Sequence, residues 1–176
     1  HSGALVTREG DVTWLCLPRF DAPSVFTSLL GEPEHGRWSL RIADGEVRER
    51  AYLPGTLVLR TRWRGPDGEA EVLDFMPLTS HRGSGRAHDD DAGALADEGE
   101  GEAARADLVR LVRCTSGSVS VDQCLQFRMD YGEVVPWVSR QTDPAGESFL
   151  AVVAGGDALA VHGPDLSPDG LSHRGS

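Results

Sequence analysis

The sequence predicts an all-β protein: an antiparallel β-sandwich with at most one or two short helical turns. Three observations lead there. Apolar and polar residues alternate with period two over much of the 176 residues. Turn-forming residues recur about every ten positions. The roughly ten short strands so delimited suit antiparallel sheets packed face to face.

The elements follow in order along the chain. Ala4 to Val6 is a short strand, and Glu9-Gly10-Asp11 turns it into Val12 to Leu17, with Trp14 and Cys16 expected in the core. Ser24 to Leu30 suits a short helix, Ser24 capping its start and Gly31 ending it. Arg37 to Ile42 is the next strand. Leu57, Leu59, Thr61 and Trp63 then alternate with Val58, Arg60, Arg62 and Arg64, which gives one apolar and one largely cationic face. Gly65-Pro66-Asp67-Gly68 turns that strand back into Ala70 to Met76. Sheet resumes at Leu108 to Val112, turns at Ser116-Gly117-Ser118, and runs on through Val119, Val121, Leu125, Phe127 and Met129. Val134 to Arg140, Phe149 to Ala154 and Ala158 to Val161 complete the set, and Gly163 to Ser176 is expected to be a loop or frayed end.

Ser80 to Asp107 differs in kind: it has no aromatic residue and is rich in Gly, Ala, Asp and Glu. Low hydrophobicity and self-repulsion give it too little to offset the entropy of ordering, so a flexible acidic surface loop is expected within one sandwich domain spanning 1–176. The whole chain carries a formal net charge of −11. A nucleic-acid partner requires a basic footprint, and an anionic membrane surface requires the same, so neither is expected. No apolar run approaches the roughly 20 residues that cross a bilayer. Every cation is arginine, without a lysine or asparagine, which reflects a GC-rich genome rather than chemistry. Cys16, Cys114 and Cys124 are too few for a disulfide framework and lack metal-binding spacing. A reducing cytoplasm is the expected compartment.

The residues capable of chemistry each have a plainer role. Asp89-Asp90-Asp91, beside His88 and His81, lacks the alternating ligand spacing of a calcium loop, so no metal and no cofactor is expected. Asp21, Glu34, Asp74 and Asp130 are of the type that glycoside cleavage employs, but no spacing makes two of them converge, and no catalytic residue is assigned. Asp21 has Arg19 two residues away, Asp130 has Arg128, and Asp74 closes a strand before Pro77. Arg19 and Asp21 stand among Phe20, Val25 and Phe26, where charges are costly to desolvate unless they serve each other or a partner surface. Trp14 and Trp63 lie on apolar strand faces and read as core. Trp38 and Trp137 are candidates for stacking on a sugar ring.

The string Trp14-Leu15-Cys16-Leu17-Pro18-Arg19-Phe20-Asp21-Ala22-Pro23-Ser24-Val25-Phe26 resembles the N-terminal domain of family 15 glycoside hydrolases, the bacterial and archaeal glucoamylase-like and trehalase-like proteins. The likeness begins at Ala4-Leu5-Val6 and continues through Gly36-Arg37-Trp38, Tyr52 to Leu59, and Asp74-Phe75-Met76-Pro77. It runs on through Leu108-Val109-Arg110 and Arg128-Met129-Asp130-Tyr131-Gly132 to Trp137. The resemblance implies a β-sandwich that precedes an (α/α)6 barrel, whose glutamates hydrolyse α-glucosidic bonds of trehalose or short α-glucans with inversion. No such barrel lies in these 176 residues, so the catalytic glutamates map onto none of them. What carries over is scaffolding, with Arg19, Asp21, Arg128, Asp130 and Tyr131 as the surface that meets the barrel or its rim. Thr13 departs from the acidic residue or asparagine usual before the tryptophan, the acidic loop is longer than the usual connection, and segments at both ends are missing. A sandwich lacking strands exposes edges, so self-association into a homo-oligomer is an expectation too. Against this reading stand a free-standing carbohydrate-binding module, which predicts a tryptophan response to oligosaccharide, and a structural or oligomerising domain, which predicts none.

Overall fold

The computed structural model describes residues 2–77 and 106–164, together with the backbone of 167–168 and 173–175. Most of the acidic stretch and much of the tail therefore lie outside the described residues.

Alternation becomes strand wherever one face can be buried. The first large sheet takes β1 (Ala4–Val6), β2 (Asp11–Cys16), β3 (Ser24–Phe26), β4 (Arg37–Ile42) and β9 (Val121–Gln126), plus the short β13 (Ser167–Pro168) and β14 (His173–Gly175). Its order is β1-β2-β4-β9-β14-β13, with β3 also on β2. A second sheet is the meander β5 (Glu46–Tyr52), β6 (Leu59–Arg64), β7 (Gly68–Phe75) and β8 (Val109–Gly117). A third is the meander β10 (Trp137–Thr142), β11 (Ser148–Ala154) and β12 (Asp157–Val161). Every pairing between these strands is antiparallel.

The two smaller sheets lie against one face of the larger, and each encloses a core. Val12, Leu15, Phe26, Leu125, Phe127 and Met129 meet Leu150 and Val152 of the third sheet. Leu40 and Ile42 of β4 meet Trp63, Ala70 and Val72 of the second. The register that sets Trp38 opposite Leu125 and Leu40 opposite Gln123 puts both cores on the same side of the β4–β9 pair. The predicted all-β sandwich is what forms.

Three local expectations need correction. Ser24 does not cap a helix: Ser24–Phe26 is strand, and among the described residues only Ser28–Leu30 and Pro33–His35 wind into single 3-10 turns. The reason is burial, since all three residues of β3 are enclosed and Phe26 stacks on Phe127 at 5.3 Å. Trp14 is half-buried and lies beside Tyr131 rather than in either core; a register shift in the β1–β2 ladder, which leaves Thr13 unpaired between Val12 and Trp14, puts Val12 and Leu15 on the inward side instead. The tail supplies β14, which pairs with β9. β5 is an element that alternation does not announce. Its sequence Glu-Val-Arg-Glu-Arg-Ala-Tyr is held as an edge strand by its ladder with β6.

Candidate functional site

Of the two charged motifs singled out in the sequence, the first leads into β3 and the second is bonded to it. Leu17 and Pro18 are joined by a cis peptide bond, and the chain crosses Arg19–Ala22 before entering β3. β3 then serves as a mount for the second motif. The Arg128 amide donates to the Val25 carbonyl at 3.4 Å, and the Asp130 amide to the Ser24 carbonyl at 3.0 Å. The Tyr131 amide donates to the Ser24 hydroxyl at 2.9 Å, and that hydroxyl lies 2.5 Å from the Thr27 hydroxyl. Ser24 and Thr27 are both buried, so this small polar relay is satisfied internally.

The second motif is tightly wound. Asp130, Tyr131 and Gly132 take φ of 50°, 59° and 95°, three successive left-handed residues closed by the Met129–Val134 bridge. Aspartate tolerates this region better than tyrosine does, so the conformation at Tyr131 is held by its surroundings. Its ring lies 6.0 Å from that of Trp14.

In the first motif, Arg19 donates both Nε and a terminal nitrogen to Asp21, at 2.9 and 2.8 Å, a two-bond fork in open solvent. The bond to Arg19 holds the Asp21 carboxyl below its ordinary value, and the same bond raises the Arg19 guanidinium. Any stabilisation from the pair is therefore present above the ordinary aspartate range, and it disappears as pH falls through the depressed value. We expect NMR titration of Asp21 to show a midpoint below that of a free aspartate, moving back up in Arg19→Gln. A midpoint unaffected by the substitution would mean that the fork does not persist in solution. Arg128 donates to the Phe127 carbonyl at 2.7 Å, and among the described residues no ion pair joins it to Asp130. Phe20, Leu29, Leu30, Tyr131 and Val135 are exposed apolar residues within or near these two segments of chain.

The two tryptophan candidates part company. Trp38 is partly buried, and the Arg110 guanidinium lies 5.2 Å from its ring centre, so one ring face is occupied from within. Trp137 is 85% exposed at the start of β10. The candidate carboxylates also scatter. Asp74 is buried opposite Arg110, which grips it at 2.8 and 3.4 Å. Glu34 lies in the second 3-10 turn, Asp21 is held by Arg19 before β3, and Asp130 sits in the left-handed turn after Met129.

Arg110 is the residue that sequence reasoning underrated. Its side chain is fully buried, and besides Asp74 it donates to the Trp38 carbonyl at 3.0 Å and the Gly10 carbonyl at 2.6 Å. A β8 side chain thus ties the second sheet to β4 and to the turn before β2. The available signal was an arginine at an inward position of Leu-Val-Arg-Leu-Val, where burial demands a partner.

Neither of two surface depressions among the described residues is lined by the candidate carboxylates Asp21, Glu34, Asp74 or Asp130. The larger, about 520 Å³, follows β5 from Arg8 to Leu59, and its Glu49 is engaged by Arg60 and Arg62. The other, about 440 Å³, is bordered by Glu9, Asp44 and Asp122 with Arg8 and Arg41. Among the described residues no three of His, Cys, Asp and Glu gather as metal ligands would, and no helix is long and apolar enough to cross a membrane.

The fold is an all-β domain in which the buried Arg110, Asp74, Ser24 and Thr27 side chains hold sheets and loops together. Residues 1–87 match the family model described as trehalase-like, N-terminal. The chain is 33% identical over 169 residues to a trehalase of Mycolicibacterium smegmatis, covering 93% of this chain and 23% of that protein. It is 31% identical over 133 residues to a trehalase of Mycobacterium tuberculosis, covering 72% of this chain and 18% of that one. Trehalase 1 of Sulfolobus acidocaldarius is 39% identical over 71 residues, 40% of this chain and 12% of the relative. The chain thus spans less than a quarter of the length of the curated relatives it matches. No solved structure matches it.

Proposed function

We propose that this chain is the non-catalytic N-terminal β-sandwich of a family 15 glycoside hydrolase of the trehalase type. In the whole protein, the length beyond the sandwich carries an (α/α)6 barrel that hydrolyses the α-glucosidic bond of trehalose or a short α-glucan with inversion. The observation that carries this reading is the family match of residues 1–87 combined with relatives named trehalase, of which the chain spans 23% and 18%. The scattering of the candidate carboxylates agrees with chemistry located elsewhere, because glycoside cleavage needs two of them across one sugar. Free Cys16, Cys114 and Cys124 suit a reducing, cytoplasmic setting.

The rim of Arg19, Asp21, Arg128, Asp130 and Tyr131 is the surface on which the barrel mouth rests. An exposed charge fork among exposed apolar side chains suits such a boundary, since it steers orientation while the apolar groups supply contact area. In the complete enzyme, Arg19→Glu is expected to lower kcat/KM for trehalose about tenfold by displacing the mouth. The swap Arg19→Asp with Asp21→Arg should recover much of it. Unchanged turnover with unchanged protease sensitivity between the two parts would reject the rim assignment. Glucose release from trehalose by these 176 residues alone would reject the larger reading.

The exposed indole of Trp137 favours a second reading, a free-standing carbohydrate-binding module. It predicts tryptophan quenching by oligosaccharide and a gene that does not continue into a helical barrel.

A further inference from the structure

The two smaller sheets differ sharply on the side turned away from the core. In the second sheet that side is a lattice of charges: Arg60 and Arg62 on Glu49, Arg64 on Glu69, and Arg113 on Glu71. In the third sheet the register aligns Trp137 with Val153 and Ala158, and Ser139 with Ala151 and Ala160. Phe149 follows, opposite Gln141 and stacked on His162 at 5.3 Å. None of the aspartates, glutamates or arginines of β10–β12 lies on these positions. The opposite side of the same strands supplies Leu150 and Val152 to the core, with Val138, Leu159 and Val161 packed against it.

An antiparallel sheet that faces water usually alternates apolar-in with polar-out, and a sheet apolar on both faces is one covered on both. Here the outward side carries an 85% exposed tryptophan and a 41% exposed valine side by side. Its polar members, Ser139 and Gln141, bond to each other at 3.1 Å, which lowers their demand for water.

We propose that the outer face of β10–β12, centred on Trp137 and Val153, is a docking surface covered by the C-terminal remainder of the longer protein. The proposal rests on the reading above and adds a second contact to the rim. The remainder is the favoured occupant for three reasons. The matched relatives extend well beyond the share this chain covers, 23% and 18%, so a large body must find a seat. Exposed apolar residues also follow one another along the chain from the second charged motif into β10: Tyr131, Val134, Val135 and Trp137. A second copy would bring another net charge of −11 into apposition, which opposes association.

Hydroxyl-radical footprinting of the complete enzyme tests this, with Tyr52 as the internal reference because it is 63% exposed on the second sheet. After correction for intrinsic reactivity, Trp137 should be oxidised at least about fivefold more slowly than Tyr52, as a covered apolar face requires. Trp137→Asp and Val153→Asp should each speed proteolysis between the sandwich and the remainder about tenfold, whereas Tyr52→Asp should not. Trp137 oxidised as readily as Tyr52 would overturn the proposal. So would protection that vanishes on dilution, which indicates a second copy, or protection that arises only with added sugar. Glucose release from trehalose by the same preparation keeps the two readings apart: an active enzyme with a reactive Trp137 loses only the docking face, while an inactive one with no helical remainder loses the parent reading.

Discussion

Arg110→Met is expected to destabilise the sandwich by about 3–5 kcal/mol, because it strands the buried Asp74 carboxylate without its cation. The same change withdraws donors from the Gly10 and Trp38 carbonyls, which join β8 to the opposite sheet. Methionine roughly preserves the volume, so the loss reports the charge and its hydrogen bonds rather than a cavity. Urea unfolding followed by tryptophan fluorescence measures it. The double variant Arg110→Met with Asp74→Leu should recover much of the loss, since an apolar pair of similar volume often matches a buried ion pair. If the single and double variants are equally destabilised, the ion pair is not the reason for the loss. If Arg110→Met costs under about 1 kcal/mol, the clamp is solvated in solution and its contribution has been overstated.

Phe26→Ala is the second large effect, expected to cost about 3–5 kcal/mol as a buried aromatic is removed from a packed core. Phe26 is 1% exposed and stacks on Phe127, and it anchors the strand to which the Arg128–Tyr131 segment is bonded. Its loss should therefore be felt at the rim as well as in overall stability. Hydrogen exchange of the Asp130 and Tyr131 amides should accelerate more than that of β6 and β7, which belong to the other core. Phe26→Leu keeps most of the volume and should cost under about 1.5 kcal/mol. Uniform acceleration across both sheets would show that the two cores unfold as a single unit, and the rim would then have no private dependence on β3.

Much of the architecture was legible because the signal is local. A strand with one buried face writes that face into every second residue, so β4, β6, β7, β9 and β11 could be drawn from alternation alone. The Gly65–Gly68 turn follows from its residues, and its Gly65 amide does bond the Gly68 carbonyl at 2.9 Å. Trp63 in the core follows from its place on the apolar side of β6. β5 escaped because an edge strand with exposed sides carries little alternation, and its order is imposed by the neighbour it pairs with. The helix expected from Ser24 failed for a related reason. Capping preference is a weak local bias, and enclosure of Ser24, Val25 and Phe26 between strands outweighs it.

By itself the sequence determined the class of fold, the inward residues of most strands, and the resemblance of the Leu17–Ser24 segment to a family. Tertiary structure alone decided which distant groups meet: Arg110 with Asp74 and Trp38, the Ser24 hydroxyl with the Tyr131 amide, and Trp14 with Tyr131. The physical reason is range. Alternation depends on the residue two places away, whereas a hydrogen bond across the sandwich joins positions separated by 72 or 107 residues. Such a bond exists only once the sheets have closed on each other.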